Sequence, residues 1–147
     1  VEALAGVDGV EVHGDVADLG AELRAAWVAV APMRLGAGIK NKVLEAWAAG
    51  RPVVMSRVAA NGLAVADGLE QLVTDDRDEQ IARIVELLRD AARRRTLGEA
   101  ARRLARTRHS WGQCADEMSR LLLKASQGSR GHERPSTWIS RRTRLRV

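Results

Sequence analysis

At 147 residues the chain has the length of one domain, and its 46% apolar content is enough to build a core. A single cysteine, Cys114, rules out an intrachain disulfide or a Cys-rich metal site and fits a reducing compartment, while no apolar run approaches the roughly 20 residues that span a bilayer. The net charge of +5 is unevenly placed: residues 126–147 hold six Arg and one Glu, so the remainder is neutral, and nucleic acid is disfavoured as a partner.

The chain begins at Val1 rather than Met, so a fragment of a longer protein is expected. No secretory signal is read at Val1, and a truncated start would have lost one. The composition lacks Tyr and Phe and leaves four Trp as its aromatics. Val1 to Ala5 reads as a helix end or the loop after one. Val10 to Val12, between Gly9 and Gly14, reads as a short strand with His13 at its end. The three histidines have no metal-site spacing. Asp18 is placed to cap a helix running to about Ala25, with Leu19, Leu23 and Ala26 on one face. The apolar run Trp27 to Ala31 then suits a strand buried on both faces of a parallel sheet.

Pro32 to Val54 organises the rest. A loop with Gly36 and Gly38 leads into a helical pattern from Ile39 to Ala49, with Ile39, Val43, Ala46 and Trp47 on one side. Gly50 stands where a C-terminal helix cap belongs. Pro52 sets up a second apolar run, Val53 to Met55. Strand, glycine loop, helix and strand make a parallel βαβ unit. Glycines let a ligand approach the backbone closely, and a helix start offers unpaired N–H groups and the positive end of the macrodipole, which together suit a phosphate. Arg34, Lys40 and Lys42 add positive charge, and Glu45 could accept hydrogen bonds from hydroxyls. The same residues also suit a glycine-eased turn with solvated lysines and a surface glutamate. Neither the P-loop nor the dinucleotide fingerprint is present.

Beyond Met55, Ser56 and Asn61 to Leu63 fall on the edge of the sheet where ligands of open parallel sheets sit. Gly68 to Thr74 reads as a turn and a last short strand with Leu72 and Val73 inward. Asp75, Asp76 and Asp78 precede a helical run, as N-capping favours, and lack calcium-loop spacing. Helices are expected over Glu79 to Arg89 and Ala91 to Arg108, the second with an arginine-rich solvated face. Ser110 can cap a last helix, Trp111 to Lys124, with Leu121 to Leu123 inward and Cys114 half-buried. Residues 126–147 lose apolar periodicity and read as a disordered basic tail. Trp138 and Ile139 among its arginines favour contact with an anionic membrane surface.

The stretch resembles the signature of the group 1 (family 4) retaining glycosyltransferases. The matching residues are Pro32, Gly38, Lys42, Leu44, Glu45, Ala46, Ala48, Gly50, Pro52, Val53 and Val54. The resemblance extends from about Val10 to about Lys124 and includes His13-Gly14-Asp15-Val16, Asn61-Gly62-Leu63 and Ser110-Trp111. It implies an α/β fold: a Rossmann-like parallel sheet with flanking helices, the C-terminal half of a GT-B arrangement, over residues 1–125, with the N-terminal acceptor domain missing from this chain. It also implies a nucleoside-diphosphate sugar as partner and no cofactor or metal. Gly36, Gly38, Ile39, Lys40 and Lys42 would hold the donor diphosphate, Glu45 the ribose, and Gly14, Asp15 and Val16 would lie near the nucleobase. The family's first glutamate, which contacts the donor sugar, is replaced by Ala37. Either the donor is held differently or this copy is inactive.

Two functions follow as expectations. One is the donor-binding part of a hexosyltransferase that moves a sugar with its anomeric configuration kept. Bacterial polysaccharide or glycolipid assembly, in the cytoplasm or at the inner membrane face, is the setting the family implies. The isolated chain is expected to turn nothing over. The other is a degenerate, non-catalytic nucleotide-binding or assembly module.

Overall fold

The computed structural model describes residues 2–36, 38 and 40–128. The described chain divides after Ser110 into two compact units. Most of the first unit is helical, around a small parallel sheet. The order is a 3-10 turn Glu2–Leu4, α1 (Leu19–Ala25), β1 (Ala29–Ala31), α2 (Asn41–Ala48), β2 (Val53–Met55), α3 (Arg57–Ala60), a 3-10 turn Leu69–Leu72, α4 (Arg77–Arg89) and α5 (Ala91–Arg108). The second unit contributes α6 (Trp111–Gly128).

β1 and β2 pair in parallel, with Ala29, Val30 and Ala31 opposite Val53, Val54 and Met55. A third pass of the chain touches the sheet at one point: Val73 bridges Met55 in parallel, and the Thr74 N–H donates to the Met55 carbonyl. The core lies between this sheet and the helices. Val43, Ala46 and Trp47 of α2, all of β2, Leu69, Leu72 and Leu87 are buried, and Leu97, Ala101 and Leu104 of α5 close it from the other side.

Local chemistry explains where the helices begin. The side chains of Asp18, Asp76 and Asp90 accept from the N–H groups of Ala21, Glu79 and Arg93 and so cap α1, α4 and α5. Asp75 accepts from the N–H of Arg57, the first residue of α3. Gly50, at φ 75°, ends α2 in the left-handed conformation a C′ glycine provides. Its carbonyl oxygen lies where α5 crosses. A Cβ on Gly98 would stand 2.3 Å from it, so the two backbones touch without intervening side chains.

Several sequence expectations are corrected. Val10 to Val12 is not a strand: the segment is irregular, and residues 3–19 are exposed throughout. Two valines flanked by glycines bury too little to offset the cost of ordering them. The run from Trp27 is strand only from Ala29, and it is not buried on both faces, since Trp27 is 58% and Val30 47% exposed. The stretch at Leu72 and Val73 forms a 3-10 turn and a single bridge, with Leu72 buried and Val73 half-buried. In α6, Leu121, Leu122 and Leu123 are exposed, and so is Cys114. An amphipathic helix turns its leucines inward only where another element covers them, and α6 is the only element described in its own unit. Ile39, Ala37 and the tail from Ser129 lie outside the described residues.

Candidate functional site

The carboxyl ends of β1 and β2 meet at a small polar network. The Ala31 carbonyl accepts from Met33 N–H at 2.9 Å and from Ser56 N–H at 3.2 Å. Ser56 is buried; its hydroxyl donates to the Met33 carbonyl at 2.6 Å and accepts from Ala59 N–H at 3.2 Å. One side chain thus fixes the start of the glycine loop against the end of the neighbouring strand and caps α3 as well.

The loop's far end is fixed by Lys40. This residue is only 4% exposed, and its ammonium donates to the Gly36 carbonyl at 3.0 Å. Gly36 has φ 154°, and a Cβ there would press on Met33 Cε at 2.7 Å and Lys40 Nζ at 3.2 Å, so glycine is required. Gly38, at φ 80°, has open space around its Cα. Lys40 also serves as the N-cap of α2 without a side-chain cap, its carbonyl accepting from Val43 and Leu44 N–H. The first N–H groups of α2 therefore face the loop without a capping side chain, the arrangement in which a helix start attracts an anion.

The other sequence-designated residues fall around this corner. Arg34 and Lys42 are exposed. Glu45 is exposed, makes no ion pair among the described residues, and lines a groove of about 480 Å³ between α1 and α2 with Leu19, Gly20, Leu23 and Arg24. Gly14, Asp15 and Val16 are exposed, precede the Asp18 cap of α1, and are not among the residues that line that groove. The structure thus brings together Gly36, Gly38 and Lys40, and sets Glu45 beside α1. Ile39 lies outside the described residues. No metal-holding group of His, Cys, Asp or Glu occurs among the described residues. None of the described helices is long and apolar enough to cross a membrane.

Residues 1–90 match the family described as glycosyl transferases group 1. The chain belongs to that family. The match covers both strands, the glycine loop and α2, which are the elements that build this corner. No curated protein and no solved structure gives a match.

Within this group 1 chain, two residues have roles that pattern alone did not disclose. Lys40 reads from sequence as one of several free cations, but its burial makes it the strut of the loop. His109, at the end of α5, accepts from Ala64 N–H through Nε2 at 3.1 Å and lies with its ring 6.3 Å from that of Trp47. It thereby secures the segment after α3 to the helical layer. A contact across 45 residues leaves no local signal in the sequence.

Burial lowers the His109 pKa below its ordinary value of about 6.5. The unfolded chain therefore takes up this proton before the folded one does. The stability it contributes is complete above about pH 6.5 and is lost as pH falls through the folded value. Urea denaturation across this range should show stability declining on acidification from about pH 6.5. His109→Gln should flatten that part of the profile. An unchanged slope in the variant would assign the effect elsewhere.

Proposed function

We propose that this chain is the donor-binding part of a retaining group 1 glycosyltransferase, with a Rossmann-like parallel sheet and a nucleoside-diphosphate sugar as its ligand. The observation that carries the reading is a pair of bonds at the carboxyl edge of two parallel strands: the Lys40 ammonium on the Gly36 carbonyl and the Ser56 hydroxyl on the Met33 carbonyl. Ligands of parallel α/β sheets bind at this edge.

The chemistry asked of the chain is electrostatic. Transfer breaks the bond between the anomeric carbon and the diphosphate, and negative charge grows on the leaving oxygen. Preorganised N–H groups at the head of α2, aimed at that charge, stabilise it without reorganising. Gly36 and Gly38 let the diphosphate come close to the backbone. Ile39 and Lys40 contribute N–H groups, and Lys42 supplies a solvent-facing counter-charge. With its ammonium held by the Gly36 carbonyl, Lys40 shapes the loop as well as adding charge. Glu45 accepts from the ribose hydroxyls, and Gly14 to Val16, ahead of α1, lie toward the base. The acceptor and the second wall of the cleft come from another domain of the GT-B arrangement.

A second reading is supported by Ala37, which places a methyl group where the family's signature carries a glutamate for the donor sugar. In that reading the chain binds nucleotide without transferring sugar. Calorimetric titration of the full chain with UDP, GDP and ADP addresses both readings. One nucleotide should bind, and Glu45→Ala should weaken it about tenfold to a hundredfold, as expected for removing charge-assisted hydrogen bonds of about 1.5–3 kcal/mol. Failure of all three to bind a folded chain would overturn the donor-site assignment. Binding without sugar transfer, even when the chain is supplied with its second domain, would favour the module.

A further inference from the structure

A second concave site lies at the opposite edge of the sheet. Trp27 precedes β1 and Pro52 precedes β2, so both stand at the amino ends of the strands. With Gly50, Gly98 and the exposed side of α5 they bound a cleft of about 360 Å³. Four arginines line it, Arg51, Arg94, Arg95 and Arg102, against one acid, Glu99.

Several arginines of the fold are paired: Arg93 bonds Glu86 and Gln71, Arg103 faces Asp67, and Arg57 faces Asp75. None of the four in the cleft has a carboxylate partner among the described residues. Arg51 Nε is buried without a hydrogen-bond partner among them. Arg94 is held in place, donating to the Leu87 and Leu88 carbonyls at the end of α4 and stacking 4.4 Å from the Trp27 ring centroid. Like charges crowded at one site repel, and a buried unpaired donor is costly, unless an anion joins them.

We propose that this cleft binds a phosphate-bearing anion. A phosphomonoester or diphosphate carries close to two or more negative charges and several acceptor oxygens, and the planar guanidinium fork matches them. Arg94, fixed over Trp27, forms the rigid wall; Arg95 and Arg102 close on the ligand; Arg51 adds its positive charge. The phosphate belongs either to a free soluble compound or to a lipid headgroup. The cleft is separate from the glycine loop, shares Ala49 and Arg102 with the α1–α2 groove, and does not depend on the donor-site reading.

Trp27 is a local reporter. In the full 15N-labelled chain its indole N–H signal is identified by its loss in Trp27→Phe. Titration with inorganic pyrophosphate should move that signal saturably. The exposed-site double substitution Arg95→Gln/Arg102→Gln should weaken the response roughly tenfold or more, the loss expected from two charge-assisted contacts. In parallel, co-sedimentation with phosphatidylcholine vesicles, with and without phosphatidic acid, is compared between the chain and the double variant. Both retain the tail, so its arginines cancel in the difference. Arginine-dependent pyrophosphate binding alone identifies a soluble phosphate as the source. Arginine-dependent binding to phosphatidic acid vesicles identifies a headgroup. If neither response depends on Arg95 and Arg102 in a variant with unchanged circular dichroism, the proposal is overturned.

Discussion

Replacing Trp47 by alanine should cost about 3–5 kcal/mol, enough to unfold much of a marginally stable domain. The indole is fully buried among α2, the sheet and α5 and is the largest side chain of the core. With no Phe or Tyr in the chain, the neighbours available to relax into the cavity are aliphatic apart from the His109 ring. Trp47→Phe should be far milder. It leaves a smaller cavity, and it removes a buried indole N–H that has no partner among the described residues. An unpaired buried donor costs about 1–3 kcal/mol, which offsets part of the lost packing. Urea denaturation of both variants decides the matter. Equal losses for Phe and Ala would mean that the indole N–H is satisfied in the folded chain.

Gly98→Ala is the second large effect, and it opposes the usual rule. Alanine inside a helix is favoured over glycine by about 1 kcal/mol, so α5 should gain from the change. Here the new methyl would lie 2.3 Å from the Gly50 carbonyl oxygen, which is backbone and cannot swing aside. Moving α5 away from α2 opens the core at Leu97 and Ala101. Overpacking of this kind costs about 1–3 kcal/mol and occasionally more, so a net loss of about 2 kcal/mol is expected. Gly14→Ala serves as the control, because a Cβ there meets nothing within 4 Å. A neutral or stabilising Gly98→Ala, measured by the same denaturation, would show that the two helices separate freely.

What the sequence disclosed was what is local. Asp18, Asp76 and Gly50 mark helix ends through bonds or angles made within a few residues, and those ends were legible. The βαβ unit was legible too, since the glycine loop and Pro52 punctuate it on either side of a clear helical pattern. What escaped depends on partners elsewhere in the chain. Val10 to Val12 has the residues of a strand but no strand beside it among the described residues, and Val30 alternates outward because the sheet is covered on one face there. Lys40 looked like a ligand-facing cation because burial of a lysine follows only from the carbonyl that receives it, and that carbonyl belongs to a loop whose shape pattern does not specify. Nothing local to α5 marks the Gly50 carbonyl that crosses Gly98.

The pairing of β1 with β2 through α2 also bears on how the chain reaches its folded state. Ala29 to Met55 is one uninterrupted piece of sequence that carries both strands, the crossover helix and much of the core. Loop-closure entropy rises only slowly with length, and a forming α2 shortens the span that must be closed. This unit can therefore condense before α4 and α5 dock, offering them the apolar face of α2 as a template. The bridge at Val73 and the closure by α5 span more sequence and come later on such a route.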